Sequence, residues 1–115
     1  MVFREEERRN VEEVMASFME RRRPPERVRD QVDLDYSVER QSIVIFERRA
    51  DWMLPEDWVE SPVAKATYVR TQDVWRLYWL RSDLQWHGYD PAPEFESLDV
   101  LLEVVDKDPL GCFWG

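Results

Sequence analysis

Residues 32–49 read VDLDYSVERQSIVIFERR, and the reading of this stretch decides the fold. Val32, Leu34, Tyr36 and Val38 alternate with Asp33, Asp35, Ser37 and Glu39, the period-two pattern of a strand with one face buried. Ser42 to Arg49 returns as a second strand, and Arg40 with Gln41 is left as the two-residue turn, although neither is the glycine or asparagine such turns favour. Working toward the C-terminus, Val63–Arg70, Val74–Arg81 and Leu84–Tyr89 read as three more strands. Tight links between them predict an antiparallel meander. The exception is Ala50–Pro62, a long loop carrying Trp52 and Trp58.

Helical periodicity flanks these strands. In Arg4–Arg23 the residues Val11, Val14, Met15, Phe18 and Met19 fall on one face of a helix that Pro24 and Pro25 end. Arg21, Arg22 and Arg23 sit in its last turn, where the helix dipole favours cations, so the triplet requires no anionic ligand. Ser97 is a good N-cap for a second helix with Leu98, Leu101, Leu102 and Val105 on one face. The predicted architecture is α+β: one domain over residues 1–115, a five-stranded antiparallel meander with an N-terminal and a C-terminal helix on the same face of the sheet. The tail Phe113–Trp114–Gly115 is expected to dock beside the second helix.

Composition narrows the chemistry. The 115 residues include one His, one Cys, three Gly and six Trp, with 16 basic against 25 acidic side chains. One His and one Cys fall short of a structural zinc site, so no metal is expected, and three glycines exclude a phosphate loop and a dinucleotide fingerprint, so neither is a cofactor. A lone Cys and the lack of an apolar segment of about 20 residues point to a reducing cytoplasm and no membrane partner. Residues 82–115 hold one Lys against eight acids, an acidic third that argues against nucleic acid and for a protein partner with a basic surface, or even mimicry of nucleic acid.

A two-residue link at Ser82–Asp83 would pair Tyr78 with His87, Arg76 with Tyr89, Trp79 with Trp86 and Leu77 with Gly88. Alternation then puts Trp75, Leu77, Trp79, Leu84 and Trp86 on the core face, and Lys65, Thr67, Arg76, Tyr78, Gln85, His87 and Tyr89 on the outer face. Glu47 continues the core-side row of Ile43 and Ile45, so an arginine is expected beside it, Arg70 or one from the N-terminal helix.

Three stretches carry a family resemblance: Val63–Arg70 (VAKATYVR), Trp75–Tyr89 (WRLYWLRSDLQWHGY) and Asp108–Gly115 (DPLGCFWG). With Glu47–Arg49 (ERR), they make the chain from about Val32 onward resemble a family of short bacterial proteins, domain of unknown function 3024. That resemblance implies one whole domain and assigns no catalytic residue.

Two readings of function follow from the residues. The first is a non-catalytic binding or regulatory module with a protein partner, its contacts drawn from Trp52, Trp58, Tyr78, His87 and Tyr89. The alternative is a small enzyme or ligand-binding domain on the outer sheet face, in which His87 with Tyr78 or Tyr89, aided by Arg76 or Lys65, converges on a pocket of at least roughly 300 Å³; a catalytic Glu47 with a raised pKa is a separate option. A homodimer fits either, since a short meander has edges and a face to cover.

Overall fold

The computed structural model describes residues 2–54 and 56–114. Helix α1 (Glu5–Arg22) is followed by a single 3₁₀ turn (Glu26–Val28) and by strands β1 (Val32–Glu39), β2 (Ser42–Ala50), β3 (Trp58–Val69), β4 (Val74–Leu80), β5 (Trp86–Gly88) and β6 (Glu94–Phe95). Helix α2 (Leu98–Lys107) closes the order. Strands β1 to β5 form the antiparallel meander, and β6 pairs with β4 on the same edge as β5. The architecture is the α+β fold that the periodicities predict, with one addition: β6 is two residues long and leaves no periodic trace.

Both helices lie on one face. Val11, Met15 and Phe18 of α1 and Leu98, Leu101, Leu102 and Val105 of α2 are buried with Leu34, Ile43, Ile45, Ala64, Ala66, Trp75 and Leu77 of the sheet in one cluster. The tail completes it. Phe113 packs on Tyr89 with ring centroids 5.2 Å apart, and Trp114 donates from Nε1 to Val105 O at 2.8 Å.

The Arg triplet finds partners beyond the helix dipole. Arg23 makes a bidentate pair with Asp33 (2.9 and 2.8 Å), which holds that carboxyl below its ordinary pKa, while Arg21 and Arg22 each approach Asp106 of α2 at 3.8 Å. At the other end of α1, Glu7 accepts two bonds from Arg70 (3.0 and 2.7 Å), and Arg70 also donates to Val2 O. These bonds, opposed only in part by desolvation, lower the Glu7 pKa to about 2.

A depressed folded-state pKa stabilises the fold above the ordinary carboxylate pKa, and the contribution is lost as pH falls through about 2. Glu7→Gln is therefore expected to melt at a lower temperature than the parent chain at pH 7, and the two melting curves are expected to converge as pH falls from about 4.5 toward 2. A constant gap across a pH series of thermal melts would show that the pair contributes through packing instead.

Two expectations are corrected by the strands. The predicted loop Ala50–Pro62 shrinks to the tip Asp51–Asp57, because β3 begins at Trp58, not Val63. Between Ile45 and Phe46 the β2–β3 register shifts: Ile45 pairs with Ala64 and Phe46 with Pro62, leaving Val63 as a bulged residue. Val63 and Ala64 are consequently both buried, and alternation read through this point loses phase.

The second correction lies at the β4–β5 link. Five residues, Arg81–Gln85, make the turn, with Leu84 in the left-handed region at φ 62° and Asp83 accepting from the Gln85 amide. Tyr78 therefore pairs with Gly88, Trp79 with His87 and Leu80 with Trp86. A slip of one residue sends every β5 side chain to the opposite face from the one expected.

Candidate functional site: the open face of the sheet

Both helices lie on one side, and among the described residues no element covers the opposite face of the sheet. Alternation assigns its side chains. Asp33, Asp35, Ser37 and Glu39 come from β1, Val44, Phe46 and Arg48 from β2, Lys65 and Thr67 from β3, Arg76, Tyr78 and Leu80 from β4, and Trp86 from β5. Trp58, paired with Ala50, lies at its far end. The middle of this face is apolar and aromatic, and its members are half-buried by one another rather than by a second layer.

Local contacts order the face. Ser42 Oγ and Thr67 Oγ1 are 2.8 Å apart, Lys65 Nζ stands 5.7 Å from the Tyr78 ring centroid, and the Arg48 guanidinium lies 5.3 Å from that of Trp58. Arg48 also approaches Glu60 at 3.7 Å, and Arg76 pairs with Glu94 at 3.3 Å. A cation over a ring face is attracted by the ring quadrupole, which orders both side chains.

Of the five contact residues expected from sequence, the structure brings Trp58 and Tyr78 onto this face and places Trp52 at the tip of the β2–β3 hairpin, 88% exposed beside Met53 and Leu54. The distal part of that hairpin runs past the end of β4, whose pairing with β3 reaches only to Ala64 and Trp79. His87 and Tyr89 do not join them. Tyr89 is buried in the core with its hydroxyl unpartnered among the described residues, and burial raises its pKa. His87 lies on the helix-side row opposite Trp79, its Nε2 2.9 Å from Asp83 Oδ2.

The same slip takes His87 from the residues of the catalytic alternative. Lys65, Arg76 and Tyr78 share the open face, His87 belongs to the other, and Glu47 lies on the core-side row where alternation put it. A shallow cavity of about 240 Å³ between Arg76, Tyr78, Gly88, Pro93 and Glu94 does not include His87. Glu47 does pair with an arginine, but it is Arg49 at 2.9 Å; Glu47 lies opposite Ser61, whereas Arg70 follows the far end of β3 and pairs with Glu7. The Cys112 thiol has its pKa raised by burial and by Asp108, the reverse of what a thiolate nucleophile needs. Among the described residues no three His, Cys, Asp or Glu side chains are grouped to hold a metal ion, and no helix is long and apolar enough to cross a membrane.

Sequence reasoning passes over Val44, Phe46 and Leu80 and sets Trp86 on the core face, whereas its pairing with Leu80 puts it on the open one. A signal for the first two is present: Ile43–Phe46 is an unbroken apolar run, the pattern of a strand covered on both faces rather than one.

The class these features define is a small α+β domain whose meander sheet is covered on one side only. The chain belongs to the family described as domain of unknown function (DUF3024), whose model matches residues 3–115 and so includes the N-terminal helix. Neither a curated protein nor a solved structure matches it.

Proposed function

We propose that this domain is a non-catalytic binding or regulatory module that works through protein–protein contacts made by the open sheet face and the adjoining hairpin tip. The observation that carries the reading is the placement of Phe46, Tyr78, Leu80 and Trp86 on a face that neither helix covers. Aromatic anchors beside arginine are enriched at contact surfaces, whereas a catalytic site needs convergent groups in a concavity. The acidic side chains of the C-terminal third, including the exposed Asp99 and Glu103 on α2, offer a separate surface suited to a basic partner. A single free cysteine suits action in the reducing cytoplasm.

A photo-crosslinking amino acid placed at Tyr78 or Trp58 in cells is expected to yield discrete protein adducts, and the same group at Glu13 on the solvent side of α1 is expected to yield none. Adducts equal at all three positions, or absent at Tyr78 and Trp58, would overturn the reading.

A further inference from the structure

The charges on the open face are arranged asymmetrically. The β1 edge contributes Asp33, Asp35 and Glu39, and Lys65 of β3 stands across Val44 and Phe46 of β2 from them, while Arg48 with Glu60 and Arg76 with Glu94 are ion pairs closed within the face. Asp33 is satisfied by Arg23, but Asp35, Glu39 and Lys65 have no ion-pair partner within 4.0 Å among the described residues. An acidic edge and an unpaired lysine on either side of an apolar strand make a surface complementary to its own two-fold image.

We infer that the open face is covered by a second copy of this chain, stacked face to face about a two-fold axis parallel to the strands over β2 and β3. The inference rests on reading that face as a protein-contact surface. An axis in this direction reverses strand order and keeps position along the strands, so β2 of each copy lies over β3 of the other and β1 over β4.

The register then fixes which residues meet. Lys65 pairs with Val44 and Val44 with Ser37, so Lys65 lies over Val44 of the facing copy, level with Ser37 and one strand spacing, about 4.8 Å, from the β1 row in which Asp35 and Glu39 flank that level. Arg76, already paired with Glu94, is level with Thr67, Ser42 and Glu39 in turn, so it lies over β1 at the level of Glu39. A two-fold axis across the strands would instead lay β1 on β1, acid on acid. Charge therefore selects the first axis.

The area is that of a weak interface. Four strands about 4.8 Å apart and seven residues at about 3.3 Å cover roughly 440 Å² per copy, and two copies reach about 900 Å², in the range of transient contacts. The dimer is accordingly reversible.

Sedimentation equilibrium over a concentration series tests this. The parent chain is expected to move from the 14.0 kDa monomer toward twice that mass. Lys65→Glu and Glu39→Lys each place like charges opposite one another at two symmetry-related points, and each is expected to raise the dimer dissociation constant about tenfold or more. Mixed in equal amounts, the two variants restore both opposite-charge pairs in a heterodimer, whose dissociation constant is expected to return to within about threefold of the parent value. Charge effects confined to one chain cannot be rescued by mixing, and circular dichroism identifies any variant that fails to fold.

A parent chain monomeric at every concentration overturns the second-copy assignment. If Tyr78 still crosslinks to a different protein, the face has another occupant and the proposed function stands. A dimer indifferent to both substitutions uses another surface, which also overturns the assignment, and loss of face-specific crosslinks together with that result removes the proposed function as well.

Discussion

Phe18→Ala is expected to cost about 3–5 kcal/mol of folding stability, the range for truncating a fully buried phenylalanine, where the lost transfer energy and the cavity left behind add. Phe18 is 0% exposed and is held with Val11 and Met15 against the sheet. A chain of 115 residues has a total stability of roughly 6–17 kcal/mol at the usual 0.05–0.15 kcal/mol per residue, so this single change removes a substantial share. The melting temperature falls by roughly 12–20 °C. The comparison that gives the number meaning is Phe46→Ala. That ring lies on the other side of the same sheet, half-buried and under no helix, and its truncation is expected to cost less than about 1 kcal/mol in the monomer. Urea unfolding of the two variants at a concentration where the parent is monomeric checks the difference. Equal losses would mean that the open face is as well packed as the core and needs no partner.

That contrast also shows what the sequence made legible. The core face could be read because Leu34, Ile43 and Ile45, and the helical stripe from Val11 to Phe18, repeat at the two periods that backbone geometry imposes. Lys65, Arg76 and Tyr78 were placed on the open face by the same rule.

The errors arose where a local feature shifts the phase. Val63 is a bulge beside Pro62, so the first five residues of β3 look like loop. The β4–β5 turn uses Leu84 at φ 62°, a residue that gives no hint of a left-handed conformation, and the one-residue slip exchanged Trp86 for His87 and Tyr89. Turns here lack the usual signal because the chain has only three glycines, and Arg40 and Asp73 also take positive φ. Ion pairs such as Glu7 with Arg70 join residues 63 apart, and no pattern confined to one element reveals them.

The docked tail offers the other large effect, and it separates two kinds of cause. Asp108 ends α2 in the left-handed region at φ 42°, and its carboxylate accepts from the amides of Phe113 at 3.1 Å and Trp114 at 2.8 Å. The side chain thus serves backbone groups that would otherwise lose their partners when Phe113 is packed against Tyr89. Bonds to a charged acceptor contribute about 1.5–3 kcal/mol, and alanine is less tolerant of positive φ than aspartate, so Asp108→Ala is expected to cost about 2–3 kcal/mol. Asp108→Gly loses the same two bonds but relieves the backbone, and is expected to recover about 0.5–1 kcal/mol of that loss. Asp108→Asn keeps an acceptor oxygen and the tolerance for φ, and is expected to fall nearest the parent. Hydrogen exchange at the Phe113 and Trp114 amides supplies the local readout. Both are expected to lose protection in the Ala and Gly variants before the amides of β2 and β3 do, because the tail opens without the sheet. If Gly proves as costly as Ala while those two amides stay protected, the backbone angle and the carboxylate bonds are both minor, and Trp114 is held instead by its bond to Val105 O and by the Arg22 guanidinium 4.1 Å from the ring centroid.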